Sequence, residues 1–74
     1  MLISHPGKKF EDGKIKLIKY RYEDKLEYVY RVNKIYRENY AGNKRIVYVC
    51  QQPNGNLYEI KQELDTGEWY LFKK

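Results

Sequence analysis

PNGNLYEIKQELDTGEWYL, Pro53 to Leu71, reads as two turns with a strand between them and a strand after them. Pro53-Asn54-Gly55-Asn56 is a hairpin signal, because Asn-Gly takes the positive φ values that a tight connection demands. Asp65-Thr66-Gly67 is a second, a type I turn closed by a glycine in the left-handed region. The run between them alternates: Tyr58, Ile60 and Leu64 on one side, Leu57, Glu59, Lys61 and Glu63 on the other. After the second turn Trp69 and Leu71 alternate with Tyr70 and Phe72, and Trp69 is large enough to plug a small core. Alternation of period two is the mark of a half-buried strand.

Working outward, the same reading holds upstream. Arg45 to about Gln52 is a strand with both faces apolar, Ile46, Tyr48 and Cys50 against Val47 and Val49, which suits a central position. Before it, Asn39-Tyr40-Ala41-Gly42-Asn43 reads as a longer turn. Leu26 to Arg37 forms another strand, with Leu26, Tyr28, Tyr30 and Val32 on one side and Glu27, Val29 and Arg31 on the other. Its rhythm breaks at Asn33-Lys34, which predicts a β-bulge, after which Ile35 faces in and Lys34 and Tyr36 face out. Glu23-Asp24-Lys25 separates this strand from a first one, Ile15 to Tyr22. There Ile18, Tyr20 and Tyr22 oppose Lys19 and Arg21, which share a face with Ile15 and Leu17.

Five strands joined by hairpin-length loops predict an all-β domain, a five-stranded antiparallel meander. Its twist would curl it into a small half-open barrel of the SH3-like or OB-like kind. No stretch sustains an i, i+3, i+4 apolar pattern, so no substantial helix is expected. Residues 1–14 read as an N-terminal arm or short edge segment, and residues 15–74 as a single β domain.

The chain has 74 residues, nine of them tyrosine, and a single cysteine, Cys50. One core of this size supplies about 3–5 kcal/mol. An internal disulfide is excluded, so large aromatic side chains, each burying ~150–250 Å², or a partner chain must reinforce it. The start of the chain lacks the basic and apolar regions of a signal peptide. The longest uncharged apolar run, Ile46 to Cys50, falls far short of the ~20 residues that span a bilayer. A cytoplasmic location without membrane contact follows as the expectation.

Tyrosine and base stand side by side at Tyr20-Arg21-Tyr22, Tyr30-Arg31 and Tyr36-Arg37. Neighbours on a strand point opposite ways, so these pairs sort into rings facing in and cations facing out. Tyr20, Tyr28, Tyr30, Tyr48 and Tyr58 are expected in the core. The net charge is +5. Its excess lies in residues 8–21, with six bases against two acids, and in residues 31–45, with five against one. Lys19, Arg21, Arg31, Lys34 and Tyr36, with Arg37, Lys44 and Arg45 at the adjoining turn, therefore form the candidate nucleic-acid-binding stripe. Cations there would follow a phosphate backbone and Tyr36 would stack a base. The plainer reading is a solvated face balanced by Glu23, Glu27 and Glu38.

Catalysis would need a constellation. His5 stands in a Ser4-His5-Pro6-Gly7 turn, Cys50 lies in an apolar strand, and the five glycines are scattered through turns. Glu59 with Glu63, or Asp65 with Glu68, are carboxylates of an outward strand face. A non-enzyme with no cofactor and no metal is the expectation.

The order Tyr30-Arg31-Val32, Ile35, Arg45, Tyr48-Val49, Gly55, Leu57-Tyr58-Glu59-Ile60 and Asp65-Thr66-Gly67-Glu68-Trp69-Tyr70-Leu71 resembles a family of small uncharacterised bacterial β-domains. These occur alone or as the C-terminal piece of proteins similar to the inactive Y-family polymerase subunit of bacterial mutasomes. The resemblance, over residues 26–72, implies a non-catalytic accessory binding module near DNA repair or replication. Its partner would be single-stranded nucleic acid or a DNA-repair protein. The alternative is a protein-interaction or homodimerisation module using a sheet edge or the Val47/Val49/Tyr70/Phe72 surface.

Overall fold

The computed structural model describes residues 2–73, and among these the side chains other than those of Lys14, Ile15, Ile18 and Tyr40. The faces expected for Ile15 and Ile18 thus lie outside the described side chains. The fold is all-β, with no helix among the described residues. Eight strands follow in chain order: β1 Leu2–Ile3, β2 Gly7–Glu11, β3 Lys14–Tyr22, β4 Lys25–Tyr28, β5 Arg31–Tyr40, β6 Asn43–Gln51, β7 Leu57–Glu63 and β8 Trp69–Lys73. They form two antiparallel sheets, one ordered β1-β8-β7-β6-β5 and the other β2-β3-β4.

One five-stranded meander is therefore not what forms. The strand expected over Leu26 to Arg37 is two strands in different sheets, parted at Val29-Tyr30, and the chain makes no closed barrel. β1 and β2 are likewise parted by Ser4-His5-Pro6, where Pro6 cannot donate to a ladder. Ser4 ties the two layers together: its N–H donates to the Arg21 carbonyl at 3.3 Å and its Oγ accepts from the Arg21 N–H at 3.1 Å.

The core lies between the layers and holds Ile3, Leu17, Tyr20, Tyr48, Cys50, Tyr58, Ile60, Trp69 and Leu71. Trp69 is 2% exposed, with the Tyr48 ring at 5.6 Å and the His5 ring edge-on at 5.4 Å. The β7–β8 hairpin thus packs as its alternation predicts, apart from Leu64, which lies past the end of β7 and is exposed. β6 is central, as its two apolar faces require. The bulge at Asn33-Lys34 is present, since the β5–β6 register shifts between Val32 and Lys34.

Other face assignments invert. Tyr28 is 69% exposed and Tyr30 60%, so neither is core. Tyr28 pairs with Lys19 and Glu27 with Tyr20, which puts Glu27 and Val29 on the inner side and Leu26 and Tyr28 outside. Val32 packs inward again because the chain changes sheets between them. Leu17 joins Tyr20 in the core because the β2–β3 register shifts by one residue between Gly7 and Lys8. Ile35 is exposed: it is paired with Tyr48 on the core side, but on the edge strand, beyond the cover of the smaller sheet.

The turn before β6 is tighter than expected. β5 runs to Tyr40 and β6 starts at Asn43, leaving Ala41 and Gly42, at φ 52° and 83°, as a two-residue loop. Asn-Gly is the preferred pair in such a loop, whereas alanine is strained there. Ala41→Asn is expected to stabilise by about 0.5–1 kcal/mol, raising Tm by roughly 2–8 °C. A thermal melt checks it.

Burial pushes the Tyr20 hydroxyl up to about 12 and the Cys50 thiol up to about 12. Tyr48 and Tyr58 are raised by the same cause. All four are held neutral in the fold, while the ordinary values are 9.0 for Cys and 10.0 for Tyr. The unfolded chain releases these protons first as pH rises. Their contribution is therefore complete below about pH 9 and falls from there through pH 12. The urea midpoint at pH 11 is expected at about half its pH 8 value or lower.

Candidate nucleic-acid interface

The outer face of the larger sheet carries Arg31, Lys34, Tyr36 and Arg45, four of the eight stripe residues. Registers across β5, β6, β7 and β8 align them in rows. Glu38 faces Arg45, which faces Glu63; Tyr36 faces Val47, then Lys61, then Tyr70; Lys34 faces Val49, then Glu59, then Phe72. The rows alternate in charge and lock together. Arg45 bridges Glu38, at 3.7 Å, and Glu63. Lys61 lies 3.3 Å from Glu38 and 4.0 Å from Glu59. The Tyr36 hydroxyl donates to Glu59 at 3.4 Å, and Lys34 Nζ sits 5.3 Å over the Tyr36 ring. Partial burial, then Glu59 and Glu38, raises the Tyr36 hydroxyl's pKa.

Under this network Val47 is 0% exposed although it faces away from the core. Of the Val47/Val49/Tyr70/Phe72 surface, Val47 is buried and Val49 and Tyr70 are half-buried, while Phe72 is exposed with Lys61 Nζ 4.9 Å over its ring. Tyr36 is partly covered and hydrogen-bonded, a poor stacking platform. Of the stripe cations Arg45 alone is ion-paired among the described residues, by Glu38 and Glu63, while Glu59 meets Lys61 and the Tyr36 hydroxyl.

The remaining stripe residues sit elsewhere. Arg37 and Lys44 alternate with the outer-face residues, on the core side of the sheet at the far end of the β5–β6 hairpin. With Leu64 they line a depression of about 210 Å³. Lys19 and Arg21 lie on the smaller sheet, facing away from the core. The eight residues do not make one surface.

The smaller sheet gathers further cations. Lys19 stands directly across from Tyr28, and Arg21 across from Leu26. Lys19 also lies across from Gly7, with its stem over β2. Lys9 and Lys16 face each other across β2 and β3. Like charges opposite one another are unfavourable in a sheet. Lys9 is answered by Glu11 at 3.4 Å, an exposed pair of little worth. Among the described residues, Lys16, Lys19, Arg21 and Arg31 have no carboxylate within ion-pair distance, as is also true of Lys34, Arg37 and Lys44 on the larger sheet; what distinguishes the first set is the exposed rings of Tyr28 and Tyr30 beside it.

Two clefts open where β4 leaves the smaller sheet and β5 joins the larger one, and Tyr30 lines both. One, of about 560 Å³, has Lys9, Lys16 and Arg31 on its wall together with one acid, Glu11. The other, of about 340 Å³, is walled by Tyr28, Glu27, Gln51 and Asn54 above the buried Tyr20 and Tyr58. Comparison with family models, with curated proteins and with solved structures gives no match. The chemistry must be read from the surface itself.

What that surface offers is unneutralised cations beside exposed rings. Simple alternation puts Tyr28 and Tyr30 inside; the end of β4 at Tyr28 and the break at Val29-Tyr30 turn both rings out. Among the described residues there is no group of three His, Cys, Asp or Glu side chains that could hold a metal. His5 is engaged with Trp69 and the Pro6 carbonyl, 3.0 Å from its Nδ1. No helix among them is long and apolar enough to cross a membrane.

Proposed function

We propose that this chain is a non-catalytic module that binds single-stranded nucleic acid through the outer face of β3 and β4 and the adjoining β4–β5 junction. The observation that carries this is the set Lys16, Lys19, Arg21 and Arg31, without carboxylate partners among the described residues, beside the exposed rings of Tyr28 and Tyr30. Cations that track phosphates and rings that stack on any base are the two parts of a single-strand surface. A non-catalytic role is supported by Cys50, whose buried thiol, with its pKa raised to about 12, is a poor nucleophile. A free thiol also suits a reducing cytoplasm. The two layers, joined by strands that change sheet at Pro6 and at Val29-Tyr30, read as an opened variant of the small SH3-like or OB-like barrels. An accessory place in DNA repair or replication is the setting the sequence resemblance suggests.

Fluorescence anisotropy with a labelled decathymidylate strand tests the reading. Four phosphate-neutralising cations give a salt slope of about −3, so affinity is expected to fall about fiftyfold between 50 and 200 mM salt. Absence of binding, or binding indifferent to salt, would refute it. The homodimer alternative would use a sheet edge, the longest being the ten-residue β5, where Arg31, Lys34 and Arg37 oppose pairing with a second copy.

A further inference from the structure

We infer that the cleft walled by Tyr28, Tyr30, Glu27, Gln51 and Asn54 is a pocket for one unstacked guanine base of the bound strand; this rests on the nucleic-acid reading above. Its volume, about 340 Å³, lies at the small end of the range for ligand pockets. Tyr30 is shared with the neighbouring cleft of Lys9, Lys16 and Arg31. A nucleotide straddling Tyr30 would place its phosphate among those cations and its base on the aromatic side.

The polar groups of the cleft select the base. Glu27 supplies a carboxylate, which only accepts, and Lys73, with its Nζ 5.8 Å over the Tyr58 ring, an ammonium that only donates. Gln51 Oε1 already accepts from Asn33 Nδ2 at 2.9 Å, and Asn54 Oδ1 from the Asn56 N–H at 3.0 Å. Both amides are therefore left to present their NH2 groups as donors. Guanine is the complement: its N1–H and N2–H2 are adjacent donors that fit one carboxylate side by side, and its O6 and N7 are acceptors for amide donors. Adenine and cytosine set a ring-nitrogen lone pair beside their amino group, and thymine flanks its one N–H with two carbonyls. Each of these would hold an acceptor against Glu27.

The test measures anisotropy for decathymidylate and for the same strand with one central base replaced in turn by guanine, adenine or cytosine. Guanine is expected to tighten binding about tenfold over the parent strand, and adenine and cytosine less than about twofold. In Glu27→Gln the guanine advantage is expected to fall to less than about twofold. Tyr30→Ala, at an exposed position, gives a second variant and is expected to lose the advantage too. Equal binding of all four strands would overturn the pocket while leaving nucleic-acid binding in place. A guanine advantage that survives Glu27→Gln, or an equal gain from adenine or cytosine, would overturn the assignment of the base. If no strand binds, both readings fail together.

Discussion

Trp69→Ala is expected to leave most of the chain unfolded at 25 °C. Trp69 plugs the space between the two layers, against Tyr48 and His5, at 2% exposure. Truncating a buried tryptophan costs about 3–5 kcal/mol. A single core in a chain of this length supplies about the same in total. Nothing covalent compensates, since Cys50 is the only cysteine. β1 should detach with the core, because Ile3 pairs with Trp69 and its hold on β8 is two residues long. Trp69→Phe is the informative contrast. It keeps a ring in the space and removes an Nε1 donor that is buried without a partner among the described residues, so its cost is expected at about 1–2 kcal/mol. Urea unfolding followed by circular dichroism separates the two, and a cooperative Trp69→Ala transition near the parent midpoint would contradict the core described.

The double reversal Lys19→Glu with Arg21→Glu is expected to weaken single-strand binding by 100-fold or more. Two cations become two anions on one strand, among neighbours that offer no acid to rearrange. The salt slope should flatten by at least about 1.4, the share of two phosphate contacts on a single strand. Stability should hold, because both side chains are exposed and face away from the core. Lys34→Gln on the larger sheet is the control. Lys34 has no ion pair of its own, but it shares its row with Glu59 and lies on the opposite layer from Lys19 and Arg21, and its loss is expected to change affinity less than about twofold. Anisotropy at fixed salt reads both, and similar losses from the two variants would mean that the sheets share the strand.

Strand content was legible wherever a signal was local. The Asn54-Gly55 and Asp65-Thr66-Gly67 turns, the alternation of Tyr58-Ile60 and Trp69-Leu71, and the rhythm break at Asn33-Lys34 each depend on adjacent residues, and each appears in the fold. What could not be read was where the chain changes sheet. Leu26 to Arg37 alternates almost without interruption, so nothing in it announces that Tyr28 still pairs with β3 while Arg31 pairs with β6. That one break turns Tyr28 and Tyr30 outward and divides the basic stripe between two layers. The site failed to be legible for a related reason. Arg45 and Lys61 are neutralised by Glu38, Glu59 and Glu63 across strand neighbours, pairings set by register. Lys19 and Arg21 are legible as outward cations because they alternate with Tyr20 within one strand, a signal that needs no knowledge of their partners.

Backbone amide chemical shifts recorded while decathymidylate is added to the protein test the central claim most directly. The claim is that the smaller sheet and the β4–β5 junction meet the nucleic acid. Shifts are expected to concentrate at Lys16, Lys19, Arg21, Tyr28, Tyr30 and Arg31, and to fade at high salt. Shifts concentrated at Lys34, Tyr36, Arg45 and Lys61, with Lys19, Arg21 and Tyr28 unmoved, would contradict it.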